Sequence, residues 1–228
     1  MGRVSHDGIP ELAGSPLALA NVLLDVGGSL ALGDAESDSL LYVFDGSGEL
    51  ESGAALAAGS ATLVLAGEQA GLQAGAGGLG AVLATVDPAA DRHAPLGPRE
   101  DVVRLEGAET SAASGSRSFQ ILFGPHNGST RATLFVGFVP PGRAPWHYHQ
   151  YDEIVWIPEG PGRLHLGDEV EDLGAGAAFR LRPREVHIVE NASPDRELTI
   201  VGVFTPAGSP AAAYLEPDVA AEYRFEPS

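Results

Sequence analysis

The chain has 228 residues, a formal net charge of −18, no cysteine, and 13 basic residues that are all arginine. Its length allows one large β domain or two small ones, with a core that needs no disulfides. The missing cysteines exclude disulfide frameworks, thiolate metal sites and cysteine nucleophiles, the missing lysines exclude Schiff-base and P-loop chemistry, and the acidity disfavours nucleic acid and anionic membrane as partners.

Near the start, Leu17–Leu24 is an apolar run interrupted by Asn21. It lacks a basic leader and a cleavage-like context, so no signal peptide is expected. No stretch has the length of a transmembrane helix. A cytoplasmic protein without membrane or nucleic-acid partners is the expectation, as monomer or homodimer.

Short apolar runs follow at residues 38–44 and 61–65, then at 131–139, 153–157, 163–166, 179–181, 187–189 and 198–204. Gly, Pro and Asp punctuate them, which reads as an all-β sandwich or barrel. Residues 102–105 offer a further strand, and residues 211–223 a short helix. Residues 87–117 are rich in Pro, Ser and Ala and read as a connector.

The two sides of the connector repeat each other. Residues 39–50 (SLLYVFDGSGEL) align with 153–164 (EIVWIPEGPGRL), and 59–68 (GSATLVLAGE) with 176–185 (GAAFRLRPRE). The shift is 114 residues in the first block and 117 in the second, a difference that a hairpin loop absorbs. This divides the chain into a first β unit at 1–86, a connector at 87–117 and a second β unit at 118–228.

The chemistry concentrates in the second unit. His147 and His149 stand two apart, so on a strand they share one face. Glu153 opens the next run, and a hairpin brings it beside them. His187 comes from a later strand. Three imidazoles and a carboxylate suit one divalent metal ion per chain: iron or manganese first, then nickel, copper, zinc or cobalt.

These residues resemble the two sequence motifs of the cupin superfamily. His147, His149, Glu153 and Gly160 fit the spacing of the first motif; Gly176, His187 and Asn191 fit the second. Arg182 and Arg184 stand where the family usually has Pro and Gly, and Pro141 takes a usual Gly position with Gly142 one residue late. The resemblance implies an all-β architecture of two tandem jelly-roll barrels, a bicupin, with His147, His149, Glu153 and His187 as metal ligands. The repeat places Gly33, Ala35, Ser39 and Ala70 at the ligand positions of the first barrel, so that barrel is expected to be degenerate and metal-free.

Other residues carry two readings each. His126, in a Gly-Pro-His-Asn-Gly turn, is an exposed loop residue or a group on the pocket rim. His165, two residues from Arg163, enters the barrel or faces solvent. Arg180, Arg182 and Arg184 share a strand face that is solvated or clamps a substrate carboxylate. Tyr148 alternates away from the histidines. Trp146, Tyr151 and Trp156 read as packing residues.

The resulting expectation is a metal-dependent enzyme acting on a small oxygen-rich metabolite, of dioxygenase type. Glu153 is a ligand that can also act as a base. An isomerase, a decarboxylase or a ureidoglycine-aminohydrolase-like bicupin stands beside it. So does a non-catalytic small-molecule-binding protein, since a fold and a metal do not fix a reaction.

Overall fold

The computed structural model describes residue 4 and residues 15–113 and 116–215. The strands of the first part are β1 (Leu17–Leu24), β2 (Ser29–Leu32), β3 (Asp38–Leu50), β4 (Ala55–Ala57), β5 (Ser60–Val64), β6 (Ala70–Val86) and β7 (Val102–Arg104). Those of the second are β8 (Thr110–Ala112), β9 (Ser118–Phe123), β10 (Thr133–Val139), β11 (Gly142–Arg143), β12 (His147–His149), β13 (Asp152–Trp156), β14 (Gly162–Leu166), β15 (Glu169–Leu173), β16 (Ala178–Leu181), β17 (Ile188–Asn191), β18 (Leu198–Thr205) and β19 (Ala213–Leu215). Two 3-10 turns, Leu105–Gly107 and Pro125–Asn127, are the helical elements among the described residues. None is long and apolar enough to cross a membrane.

All pairing is antiparallel. The first sheet runs β1-β6-β3-β5-β7, with β2 also on β6 and β4 on β3. The second part has a six-stranded sheet, β16-β13-β18-β10-β9-β8, a four-stranded sheet, β11-β17-β14-β15, and the pair β12-β19. This is an all-β, jelly-roll architecture, as the strand pattern anticipated. Inside the stretch read as a connector, β7 pairs with β5 and β8 with β9. Where the sequence suggested a helix over 211–223, residues 213–215 are instead a strand on β12. A strand there takes up backbone groups of β12 that a helix would leave unpaired. Residues 216–223 lie outside the described residues.

The internal repeat recurs as strand register. Ser39 on β3 stands opposite Val64 and Thr85, and Glu153 on β13 stands opposite Leu181 and Phe204. Ser39 with Glu153 and Val64 with Leu181 are the pairs that the sequence alignment superposes. Strand alternation then sends equivalent residues to equivalent faces. Leu40 and Tyr42, like Ile154 and Trp156, enter one shared core between the large sheets. Leu41 and Val43 fill the first unit, and Val155 and Ile157 fill the second. Across the shared core the Phe44 and Trp156 rings lie 4.9 Å apart.

Polar ties at the seam also alternate. Asp38 of the first unit meets Arg131 of the second at 3.8 Å. Its counterpart Asp152 accepts a hydrogen bond from Ser15 at 3.1 Å and another from Arg180 Nε at 2.9 Å. The packed seam fixes β13 at its outer face, leaving Glu153 on the inner face of the second unit.

Candidate metal centre

Each of the four ligand candidates is buried: His147 is 5% exposed, His149 2%, Glu153 4% and His187 2%. Alternation on β12 turns both of its histidines the same way. His187 joins them through a backbone bridge, its N–H donating to the His147 carbonyl at 2.9 Å and its own carbonyl accepting from His147 at 3.3 Å. The imidazole of His187 lies 4.4 Å from that of His147 and 5.0 Å from that of His149, centroid to centroid. Glu153 Oε2 comes within 2.8 Å of His149 Nε2.

The ring orientations carry more information than the distances. Nδ1 of His147 lies 3.0 Å from the Pro145 carbonyl, Nδ1 of His149 3.0 Å from the Tyr151 carbonyl, and Nδ1 of His187 2.8 Å from the Glu185 carbonyl. A carbonyl only accepts, so each Nδ1 carries a proton. Such outer partners orient metal-binding imidazoles. Burial, with Arg117 nearby, pulls His147 down from 6.5 to about 3. Burial, with the two neighbouring histidines, holds His187 well below the usual value. Both rings are therefore neutral at pH 7.

The donor set fits a divalent cation. His149 Nε2 is buried without a hydrogen bond although Glu153 Oε2 is close by, because the two face each other out of hydrogen-bonding alignment. An imidazole nitrogen and a carboxylate in contact are a natural pair of ligands for one ion. They do not form a finished cage: among the described residues, no three His, Cys, Asp or Glu side chains stand in ion-holding geometry. Arg117 Nη1 lies 3.3 Å from His147 Nε2, on the lone pair that a metal would use.

Tyr151 braces the site from behind. Its ring stacks on His149 at 4.0 Å and on Phe204 at 3.9 Å, while its carbonyl accepts from the same His149. Burial, and the nearby Glu153, raise its phenol above the usual value, so it stays protonated.

A cavity opens beside the histidines, with about 70 Å³ of space for the centres of water molecules. At ~10–15 Å³ per water on that measure, it takes roughly five waters, or a small organic molecule. Phe119, Phe135, Phe138, Leu181 and Ile200 give it an apolar wall. Among its lining residues, Arg117 and Glu153 are the formally charged ones.

The substrate-side candidates do not line this cavity. On β16, Leu181 faces the cavity, so Arg180 faces away by alternation and binds Asp152; Arg182, just past the strand, is exposed. The three arginines therefore do not share a strand face: β16 ends at Leu181, and Arg184 lies in the turn beyond it. His165 is likewise opposite Leu164, on the outer face of β14, where it pairs with Glu190 beneath the edge of Trp146. His126 is exposed in its turn. Asn191 ties a turn, donating to Val139 and Arg196 and accepting from Ser193. Arg184 takes a left-handed φ of 64°, the conformation that a glycine adopts freely.

Comparison with known proteins bears on this arrangement. Residues 134–204 match the family model of the cupin domain. The cupin domain so defined spans β10 to β18 and contains all four ligand candidates. Two curated L-ectoine synthases, from Rhodococcus opacus and Rhodococcus jostii, are each 38% identical over 63 residues, which is 27% of this chain and 46% of theirs. The alignment thus spans about half the length of those relatives. The fold likeness is broader. A Bacillus subtilis oxalate decarboxylase variant superposes with a TM-score of 0.71 at 16% identity, covering 92% of this chain and 75% of that one. A Lactobacillus farciminis oxalate decarboxylase in complex with formate gives 0.72 at 12% identity, covering 90% and 81%. At these identities the likeness establishes the cupin fold.

Proposed function

We propose that the chain is a metal-dependent cupin enzyme acting on a small oxygen-rich metabolite, of dioxygenase type, with one iron or manganese ion held by His147, His149, Glu153 and His187. The carrying observation is the set of three buried imidazoles, each with Nδ1 pinned to a carbonyl. The Mn(II) centres named for a Bacillus subtilis oxalate decarboxylase of the same fold support manganese as one of the two metals.

A bound ion would supply Lewis acidity or a redox partner. The chain supplies the rest. The pinned rings keep three imidazole donors in place, and Tyr151 keeps His149 from turning. Glu153 Oε2 can hold the ion or accept a proton from a substrate carbon or hydroxyl. The phenylalanine wall accepts a hydrocarbon body or dioxygen, both apolar.

The oxalate decarboxylases of the same fold give a second reading, a decarboxylase. The apolar wall offers room for the hydrocarbon body of a substrate larger than oxalate. Oxygen uptake and carbon dioxide release by Fe(II)- and Mn(II)-loaded protein, over a panel of small carboxylates and polyols, separate the readings. Oxygen consumption with one substrate supports the dioxygenase. Carbon dioxide release without net oxygen consumption supports the decarboxylase. A loaded protein that binds these compounds and turns over none of them is a binding module.

A further inference from the structure

A second cavity lies at the seam between the two units, and none of the four ligand candidates lines it. It holds about 350 Å³ of space for the centres of water molecules, against about 70 Å³ beside the histidines. From the first unit, β3 contributes Tyr42 and Phe44, two residues apart and so on one face. Leu105, from the 3-10 turn, and Phe138 of β10 extend this apolar wall. Glu159, Arg196 and Glu197 stand exposed at the rim.

Tyr42 sets a polar group into the wall. The residue is 6% exposed, and its hydroxyl has no hydrogen-bond partner among the described residues. Burial raises its phenol above the usual value, so the group stays protonated and able to donate. Polar neighbours in the lining are engaged elsewhere: Asn191 donates to the Val139 and Arg196 carbonyls, and Ser193 Oγ accepts from the Arg196 N–H. A buried hydroxyl without a partner is costly, and an acceptor brought in by a ligand recovers that cost. The rings of the wall favour a planar aromatic body, since offset or edge-on ring pairs add to the gain from apolar burial. A rim with two carboxylates and one guanidinium, in a chain of net charge −18, disfavours an anion. A charge of either sign would also lose hydration against the apolar interior.

We propose that the seam cavity is a second small-molecule site, one that takes a neutral planar aromatic molecule whose ring nitrogen or carbonyl oxygen accepts a hydrogen bond from Tyr42. The site does not depend on the metal-site reading. It needs both units, because Tyr42, Phe44 and Leu105 come from one and Phe138 from the other.

Quinoline is the probe, and naphthalene is the same shape without the nitrogen. Equilibrium dialysis against chelator-treated protein keeps metal coordination out of the reading. Wild type is expected to bind about one quinoline per chain. Tyr42→Phe removes the hydroxyl and keeps the ring. It is expected to weaken quinoline binding about fivefold, the loss of one ordinary hydrogen bond, and to leave naphthalene binding unchanged. His147→Ala, in the other cavity, is expected to bind quinoline as wild type does. Absence of quinoline binding in wild type overturns the inference, and so does a Tyr42→Phe variant that binds quinoline undiminished. Equal weakening of both probes in Tyr42→Phe would mark a change of shape instead of a lost hydrogen bond, and loss of quinoline in His147→Ala would put the probe beside the histidines; either result also overturns it.

Discussion

In the first β unit Leu32, Leu41, Val43, Leu56, Val64 and Leu72 fill the interior as an apolar core. In the second, strands of matching register enclose His147, His149, Glu153, His187 and an open cavity. Both units present the same face to each other, and they differ in what the opposite face carries. The difference is more than a change of side chains. Gly33, aligned with His147, has φ 92°, and a Cβ there would lie 2.3 Å from the Glu68 carbonyl and 2.7 Å from Val64 Cγ1. At Gly33 the backbone leaves no room for a side chain. Burying aliphatics makes it the stabilising partner, and the second unit carries buried polar groups against that support.

The largest expected effect breaks the shared face. Trp156→Ala removes a ring that is 4% exposed and packed on Phe44. It should cost about 3–5 kcal/mol, read from denaturant unfolding. Both units should lose stability together, since each covers the other's apolar face; two separate transitions with the first unmoved would contradict the coupling.

Next comes the contrast in ligands. His187→Ala should weaken Mn(II) binding by roughly a hundredfold, about 2.7 kcal/mol, while far-ultraviolet circular dichroism stays that of the β fold. Ala70→His, at the matching position of the first unit, should add no second Mn(II) equivalent, because Gly33, Ala35 and Ser39 offer no companion ligands.

Acid sharpens the comparison from another side. Because His147 is held near 3 when folded and returns to about 6.5 when unfolded, the unfolded chain binds the extra proton between those values. Stability in the presence of a chelator should therefore be flat above pH 6.5 and fall as the pH drops through that window. The slope approaches about 1.4 kcal/mol per pH unit for this histidine, with His187 adding in the same direction. His147→Phe should flatten the curve in guanidinium titrations at pH 7, 6 and 5; an unchanged slope would remove His147 as its source.

The smallest effect concerns a turn. Arg184 holds a left-handed φ, which costs a residue with a Cβ roughly 1–2 kcal/mol. Arg184→Gly relieves that strain and gives back chain entropy and the exposed contact with Gln150. A net gain of about 0.5 kcal/mol in thermal or chemical unfolding is expected.

Much of this was legible in the sequence for stated reasons. Turn residues bounded the short strands, the ligand spacing followed strand alternation, and the repeat reappeared as register. Arg184 at a usual glycine position announced the strained turn. The 17-residue β6 was not legible, because AGLQAGAGGLGAVLATV is made of residues with poor strand propensity. Its small residues serve close packing: a Cβ on Gly80 would lie 2.6 Å from the Phe44 ring. Arg180, Arg182 and Arg184 were assigned one strand face, but β16 ends at Leu181, and the direction of Arg180 depended on Leu181 pairing with Glu153, a long-range fact. Arg117 was missed because it ends a stretch that reads as linker. The signal was its spacing of two from Phe119, the same parity that placed His147 with His149.

The most direct measurement is elemental analysis of the purified protein by plasma mass spectrometry, beside the His147→Ala variant. About one iron or manganese per chain, lost in the variant, is the result this account predicts. No metal in wild type after reconstitution with excess divalent ion, or equal occupancy in the variant, would contradict it.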